Sequence, residues 1–258
     1  MVGDDQQLPP FVERTLSERD TLERFALTRG EVEETLFSVL ADRLPEEAKV
    51  TLTHQHRMHP AIGQLISECF YRGSLTSSPR DTDPTVMAAL QQPVLWVNTS
   101  GRADRLEQEA GKSAKNRGEA RLIADLADRI NWVAEQQKRD LSVAVLTGYD
   151  AQRKEIVEAL SAGELARTSI SLRVATVDSY QGQEADICIF SVTRSNSVRD
   201  LGFLRREERI NVALSRARDG LVIVGDVNFI TSAGVDNNPL FRVLTHIRSH
   251  DQCGIEER

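Results

Sequence analysis

The stretch SVAVLTGYDAQRKEIVEALSA, residues 142–162, decides the fold class. Residues 142–147 are an almost unbroken apolar run, the pattern of a strand buried on both faces of a parallel sheet. Gly148 turns the chain, and a helix is expected over 150–162. Three more strands of this kind are expected at ISLRVATV (170–177), DICIFSV (186–192) and GLVIVGD (220–226), and a fifth at VLWVN (94–98). Helices are expected between and around them: over 60–70 behind Pro60, over 118–138, over 204–218, and at the end around Leu240, Phe241, Leu244 and Ile247. Alternating strands and helices imply an α/β domain with a mainly parallel central sheet, and such sheets place ligands at the tips that follow the strands.

Toward the N-terminus the pattern thins. Leu36, Phe37, Leu40 and Leu44 form a helical stripe over 33–44, and residues 50–52 read as a short strand. Residues 73–93 read as a Ser/Thr/Asp/Pro-rich loop and 99–115 as a polar, mobile one. The opening MVGDDQQLPP has the form of a strand end at Val2 and a turn at Gly3-Asp4-Asp5 with no strand before it.

The 258 residues are 40% hydrophobic and 28% charged, with a net charge of −7, so nucleic-acid binding would need local arginine clusters rather than a whole-chain field. Three widely spaced cysteines, Cys69, Cys188 and Cys253, suit a reducing compartment and suggest neither a disulfide framework nor a zinc ribbon. The apolar runs are strand-sized, too short to span a membrane, and an intracellular, cytoplasmic setting is expected.

Four polar clusters sit where chemistry is expected. In RREERINVALSRARDG (205–220), a helical reading puts Ile210, Ala213, Leu214 and Ala217 on one face and Arg209 with Arg216 on its flank. Guanidinium forks suit phosphate oxygens. The plain alternative is a solvated helix edge. HQHRMHP (54–60) offers three histidines without a matching carboxylate or cysteine, so Arg57 at the helix entrance is the better anion ligand than the histidines are a zinc site. TVDSYQGQEAD (176–186) carries neutral hydrogen-bonding groups, a turn glycine at Gly182 and an acid at Glu184. TGYDAQ (147–152) follows the first strand. Gly111-Lys112-Ser113 imitates the end of a phosphate loop, but Leu106 stands where that motif needs glycine.

Taken in order, GDDQQLPP, HQHRMHP, LTGYDAQ, TVDSYQGQEADICIFSVTRS and GFLRREERINVALSRARDGLVIVGD resemble successive motifs of superfamily 1 helicases. The branch they resemble is the nonsense-mediated-decay and Okazaki-fragment-processing type, which moves 5′ to 3′. The resemblance covers about residues 2–247. It implies the second RecA-like domain, a three-layer P-loop NTPase fold, preceded by the tail of a first such domain. The organisation it implies is 1–48 as that tail and a linker helix, 49–250 as the second RecA-like domain, and 251–258 as a C-terminal tail.

The resemblance also implies roles. Gln7 would sense the γ-phosphate and water. Arg57 and Arg216 would reach the γ-phosphate. His56 would lie against adenine, Gly182 beside the nucleotide and Glu184 near the ribose. Tyr149, Gln152, Thr176 and Ser179 fall in segments that face single-stranded DNA or RNA. Gly148 departs from the family's usual proline, leaving that turn less rigid. The substrate implied is ATP with Mg2+, whose metal ligands belong to a first RecA-like domain of the same protein, expected upstream together with the phosphate-binding loop. This chain alone is therefore expected to be inactive. The competing readings are a non-catalytic RecA-like module that binds nucleic acid or a protein partner, and a metal-dependent hydrolase built on His54, His56 and His59.

Overall fold

The computed structural model describes residues 3–4, 6–8, 19–24, 43–163, 166–234 and 236–258. The chain divides into two compact units, Met1–Thr53 and His54–Arg258. In the first unit the described residues include a short helix α1 (Arg19–Arg24) and a turn at the N-terminus. Val2 and most of the helix expected over 33–44 lie outside the described residues. Residues 50–52 form no strand, and Val50 and Leu52 stand 87% and 79% exposed.

The second unit is an α/β domain. Its strands are β1 (His54–Gln55), β2 (Thr76–Ser77), β3 (Val94–Asn98), β4 (Gln108–Ala110), β5 (Ser113–Lys115), β6 (Leu141–Thr147), β7 (Ile170–Thr176), β8 (Ala185–Ser191), β9 (Ala217–Gly225) and β10 (Cys253–Glu257). Its helices are α2 (Pro60–Phe70), α3 (Pro84–Leu90), α4 (Arg117–Gln136), α5 (Asp150–Ala162), α6 (Glu207–Leu214), α7 (Val227–Ser232) and α8 (Pro239–Ser249). Six strands form one parallel sheet in the order β10-β3-β9-β8-β6-β7. Two small two-stranded ladders, β1–β2 and β4–β5, flank it.

Burial follows strand position. Every residue of β8 is buried, because helices cover both faces of this central strand. In the edge strand β7 only Ile170 and Ala175 are buried, and Ser171 and Arg173 are exposed. On one face, Leu95, Val97, Val143, Val145, Ile187, Ile189, Val222 and Val224 pack with α3, α4 and α5. On the other, Cys188 reaches the Ala213 carbonyl of α6 (3.5 Å), and α2, α6 and α8 pack against one another and against the sheet. The result is three layers, as expected of a RecA-like domain.

Several helix starts follow from local chemistry. Pro60 and Pro84 occupy first-turn positions of α2 and α3, and Asp83 caps α3 by accepting from the Thr85 and Val86 amides. Asn116 caps α4 through the Glu119 amide (3.0 Å).

Four sequence expectations change. The tail expected at 251–258 contains β10, the edge strand that pairs with β3. The loop over 73–93 holds β2 and α3, and that over 99–115 holds the β4–β5 hairpin. The helix expected over 204–218 is α6 alone, ending at Leu214. Arg216 therefore lies in a turn and Arg218 in β9, so the shared helical flank for Arg209 and Arg216 does not exist. A strand of small and apolar residues following directly on the helix had extended the helical pattern. The two compact units meet in sequence at Thr53/His54.

β7 and β8 are both parallel to β6 and lie on either side of it, yet no helix longer than the turn Asp178–Tyr180 joins them. Residues 177–184 must carry the chain from the trailing end of β7 back to the leading end of β8. A seven-residue strand is about 23 Å long, and residues 177–184 make the return through the short turn Asp178–Tyr180 and a second turn at Gly182 rather than as extended chain. The segment is therefore a strap across the domain, and its two ends lie at opposite edges of the sheet.

Candidate functional site

At the leading edge, where strands begin, Ala185 of β8 pairs with Ala217 of β9. Glu184 and Arg216 thus sit side by side. The segment after β1 reaches the same place, because the His59 amide donates to the Arg218 carbonyl (2.7 Å). Arg57 Nε donates to Glu184 Oε2 (2.7 Å), a half-exposed pair, and Arg218 lies 4.0 Å from the other carboxylate oxygen. Arg80 braces the cluster by donating to the Arg57 carbonyl (2.8 Å) and pairing with the buried Asp219 (2.7 Å).

Arg216 differs from its neighbours. It is 2% exposed and bonds only neutral acceptors: the Val212 carbonyl (2.9 Å), Ser215 Oγ (3.0 Å) and the Gln183 carbonyl (3.5 Å). It makes no ion pair among the described residues. Burial, and then the nearby Arg57 charge, lower its proton affinity. Two guanidinium groups close enough to repel, one of them desolvated, make a site that an anion would stabilise. Gly182, at φ +80°, supplies the turn just before this edge.

His56 is exposed, with Nδ1 at 2.7 Å from Ser78 Oγ and its ring edge-on to His54. His54 meets Thr76 and Ser78 (both 2.9 Å). His59 is buried, takes the Ala61 amide at the start of α2, and meets Thr82 (2.8 Å). The three rings serve hydroxyl and cap contacts, and no metal-holding group among the described residues includes them.

At the trailing edge, where strands end, Thr176 and Ser179 bond each other at the start of the strap (2.9 Å). Tyr149 accepts the Phe203 amide through its hydroxyl (3.0 Å) and packs against the Phe203 ring. Two arginines stand over this aromatic pair, Arg209 over the Phe203 ring at 4.9 Å and Arg194 over the Tyr149 ring at 5.9 Å. Phe203 also accounts for Gly148. A Cβ at that position would stand 2.4 Å from the Phe203 ring, so a side chain, or the family's proline, has no room. The turn's rigidity comes from packing instead.

Gln152 does not face this surface. It is fully buried, accepting the Asn116 amide (2.6 Å) and donating to the Asn116 carbonyl (3.1 Å) and Ser191 Oγ (3.0 Å). The expectation of a nucleic-acid contact gives way to an internal brace, because both ends of its amide are already satisfied.

Beside it lies a group the sequence did not single out. Glu119 is fully buried, and its Oε2 accepts from Ser191 Oγ (2.6 Å) and the Thr193 amide (2.8 Å). Burial outweighs these bonds and pushes its carboxyl up to about 8. Thr193 has φ +68°, uncommon for a β-branched residue, and its hydroxyl meets Thr147 Oγ1 (3.0 Å). The next residue, Arg194, is fixed by Glu107 (3.2 Å) and Asp200 (2.6 Å) and leans over Tyr149. The Asn116-x-x-Glu119 spacing resembles a capping box and was the one available signal for Glu119. The strain at Thr193 had none.

Gln7 belongs to the first unit. Its side chain donates to Asp4 Oδ2 (2.8 Å), closing the N-terminal turn.

The model of the AAA domain family matches residues 32–228. The chain belongs to the AAA domain family. Its relatives within it are superfamily 1 helicases, so the domain is of helicase type. It is 30% identical over 253 residues to the DNA polymerase alpha-associated DNA helicase A of Saccharomyces cerevisiae, covering 91% of this chain and 35% of that protein. It is 32% identical over 217 residues to the regulator of nonsense transcripts 1 homolog of Arabidopsis thaliana, covering 80% of this chain and 16% of that protein. The chain thus spans about a third or less of these two relatives. A solved C-terminal domain of a possible DNA helicase from Lactobacillus aligns with a TM-score of 0.44 at 15% identity, covering 79% of this chain and 99% of that one.

Proposed function

We propose that this chain is the second motor domain of an ATP-dependent helicase that moves 5′ to 3′ along single-stranded DNA or RNA. The observation that carries the proposal is the leading edge. Arg57 and Arg216, remote in sequence, converge there beside Glu184, and Arg216 is buried without an acidic partner. That geometry fits a triphosphate presented by another domain.

In this reading Arg57 and Arg216 meet the γ-phosphate and stabilise the charge that develops during its transfer. Arg57 must first exchange Glu184 for phosphate, which frees the carboxylate to accept from a ribose hydroxyl. Gly182 and His56 line the nucleoside side, and sensing of the γ-phosphate and water is assigned to Gln7. The phosphate loop and the Mg2+ ligands are assigned to the partner RecA-like domain, and no step here is drawn through the metal.

The trailing edge serves the strand. Tyr149 and Phe203 offer ring faces and the two arginines over them offer charge, the combination that grips single-stranded nucleic acid without reading its sequence. Thr176 and Ser179 hydrogen-bond its backbone. The strap 177–184 joins the two edges, so a shift of Glu184 on nucleotide binding is passed along eight residues to Ser179 and Thr176. Gln152 and Glu119 hold the trailing loops in place.

The test is complementation. The isolated chain should hydrolyse ATP at background rate in the presence of single-stranded DNA or RNA. Joined to a first RecA-like domain of the same protein, it should show nucleic-acid-stimulated turnover. A joined protein that binds nucleic acid but never hydrolyses ATP would favour the non-catalytic module.

A further inference from the structure

The two arginines of the leading edge come from segments remote in sequence, and a third arginine ties those segments together. Residues 56–59 belong to no helix or strand, so side chains hold the backbone around Arg57. Gln55 grips the following residue with both ends of its amide, donating to the Met58 carbonyl (3.0 Å) and accepting the Met58 amide (2.8 Å). The Arg57 carbonyl itself accepts from Arg80 Nη1 (2.8 Å). The other terminal nitrogen of Arg80, Nη2, lies 2.7 Å from Asp219 Oδ1. Asp219 stands in β9, a few residues beyond Arg216. Taking Arg57 and Arg216 as the γ-phosphate ligands proposed above, we propose that Arg80 and Asp219 are positioning residues for ATP hydrolysis. They pin the Arg57 backbone to the strand that follows Arg216, and so set the separation of the two phosphate-facing arginines before nucleotide arrives.

Burial makes this more than a surface ion pair. The Asp219 side chain is 4% exposed and that of Arg80 28%, and among the described residues Asp219 forms its ion pair with Arg80. Burial pushes the Asp219 carboxyl up, and the Arg80 charge opposes that rise. A carboxylate taken out of water is costly unless a well-placed charge answers it, so Asp219 holds Arg80 in one position.

The fork then transmits that position. A guanidinium is planar, and its two terminal nitrogens point in fixed directions. With Nη2 committed to a buried carboxylate, Nη1 presents a donor at a fixed place, and the Arg57 carbonyl occupies it.

The arrangement leaves the Arg57 side chain movable on a held backbone. Its guanidinium and Glu184 are both half-exposed, so a phosphate can draw the guanidinium away by rotation about side-chain bonds. Meanwhile Arg80 keeps the Arg57 carbonyl, and the His59 amide keeps the Arg218 carbonyl (2.7 Å). Placement of this kind matters to rate, since a group displaced by about 1 Å can cost about 10²-fold.

The experiment uses the protein in which this chain is joined to its first RecA-like domain, with saturating single-stranded DNA or RNA. Arg80→Lys keeps a positive charge beside Asp219 and removes the fork. It should lower kcat by about 10–100-fold, change KM for ATP by less than about twofold and leave the melting temperature unchanged. Asp219→Asn, which keeps the shape and loses the charge, should lower kcat in the same sense with KM unchanged. In an Arg57→Ala background, followed in single turnovers with enzyme in excess, Arg80→Lys should cost almost nothing further, because no guanidinium is left to place. An Arg80→Lys protein as fast as the unaltered one overturns the proposal. So does the same loss with and without Arg57, which marks an ion pair that only supports the fold. An unaltered joined protein with no turnover overturns the function proposed for the domain, and this role of Arg80 with it; turnover that is indifferent to Arg80 overturns the role alone.

Discussion

The two edges of the sheet solve opposite problems with similar residues. At the leading edge, positive charge is left incompletely answered. Arg57 shares Glu184 with Arg218, while Arg216 is buried against carbonyls and a hydroxyl. At the trailing edge, nearly every polar group is already answered: Gln152 at both ends, Arg194 by two carboxylates, Glu119 by a hydroxyl and an amide. Unanswered charge is suited to a ligand that arrives and leaves. A saturated network is suited to holding loops still while a strand slides over them. The strap 177–184 runs from one to the other.

This contrast is sharpest for the arginines. Replacing Arg216 or Arg57 by alanine, in a protein that also carries the first RecA-like domain, should lower ATP turnover by about 10³–10⁵. Single-strand binding without nucleotide should change little. Steady-state ATPase assays and filter binding on the same preparation separate the two effects. Equal losses in both would erase the distinction between the edges.

At the trailing edge the largest effect should be on stability. Glu119→Ala leaves the Thr193 amide and Ser191 hydroxyl buried without an acceptor, costing about 2–4 kcal/mol in urea unfolding. Glu119→Gln should cost far less. The pH dependence is diagnostic. Folding raises this carboxyl from 4.5 to about 8, so the folded chain holds a proton that the unfolded chain has released. Its contribution is full below the ordinary carboxyl range and drains away as pH rises toward about 8. The wild-type chain should lose stability over that window relative to Glu119→Gln. Parallel profiles would show that Glu119 is ionised in the fold.

The smallest contrast is between two glycines. Gly148→Ala drives a Cβ into the Phe203 ring and should cost about 1–3 kcal/mol while loosening the Tyr149–Phe203 pair. Gly182→Ala meets no atom within 4 Å, and only its φ of +80° is strained, costing about 1 kcal/mol. Thermal melts rank the two. Single-strand affinity should fall for Gly148→Ala alone.

Much of the second unit was legible because its signals are local. The apolar runs at 94–98, 142–147 and 186–192 are strands almost to the residue, and the 150–162 helix is α5. The misreadings share one cause, that periodicity is blind to partners. Residues 253–257 are too polar to announce a strand, yet β3 offers them a free edge. The turn after Leu214 breaks the helix where the sheet claims the chain. Gln152 has the composition of a surface contact and is buried because Asn116 and Ser191 close around it.

The sequence by itself determined the alternation of strands and helices and the motif residues that carry the helicase resemblance, since hydrophobic period and residue chemistry are written along the chain. Only the tertiary structure decided which edge each motif occupies, that Arg216 is the desolvated arginine, and that Phe203 fills the place a proline would take at position 148. Those outcomes depend on which distant segments meet. Parallel pairing fixes strand direction, and direction, through the strap from Thr176 to Glu184, sends one continuous motif to two opposite sides of the sheet.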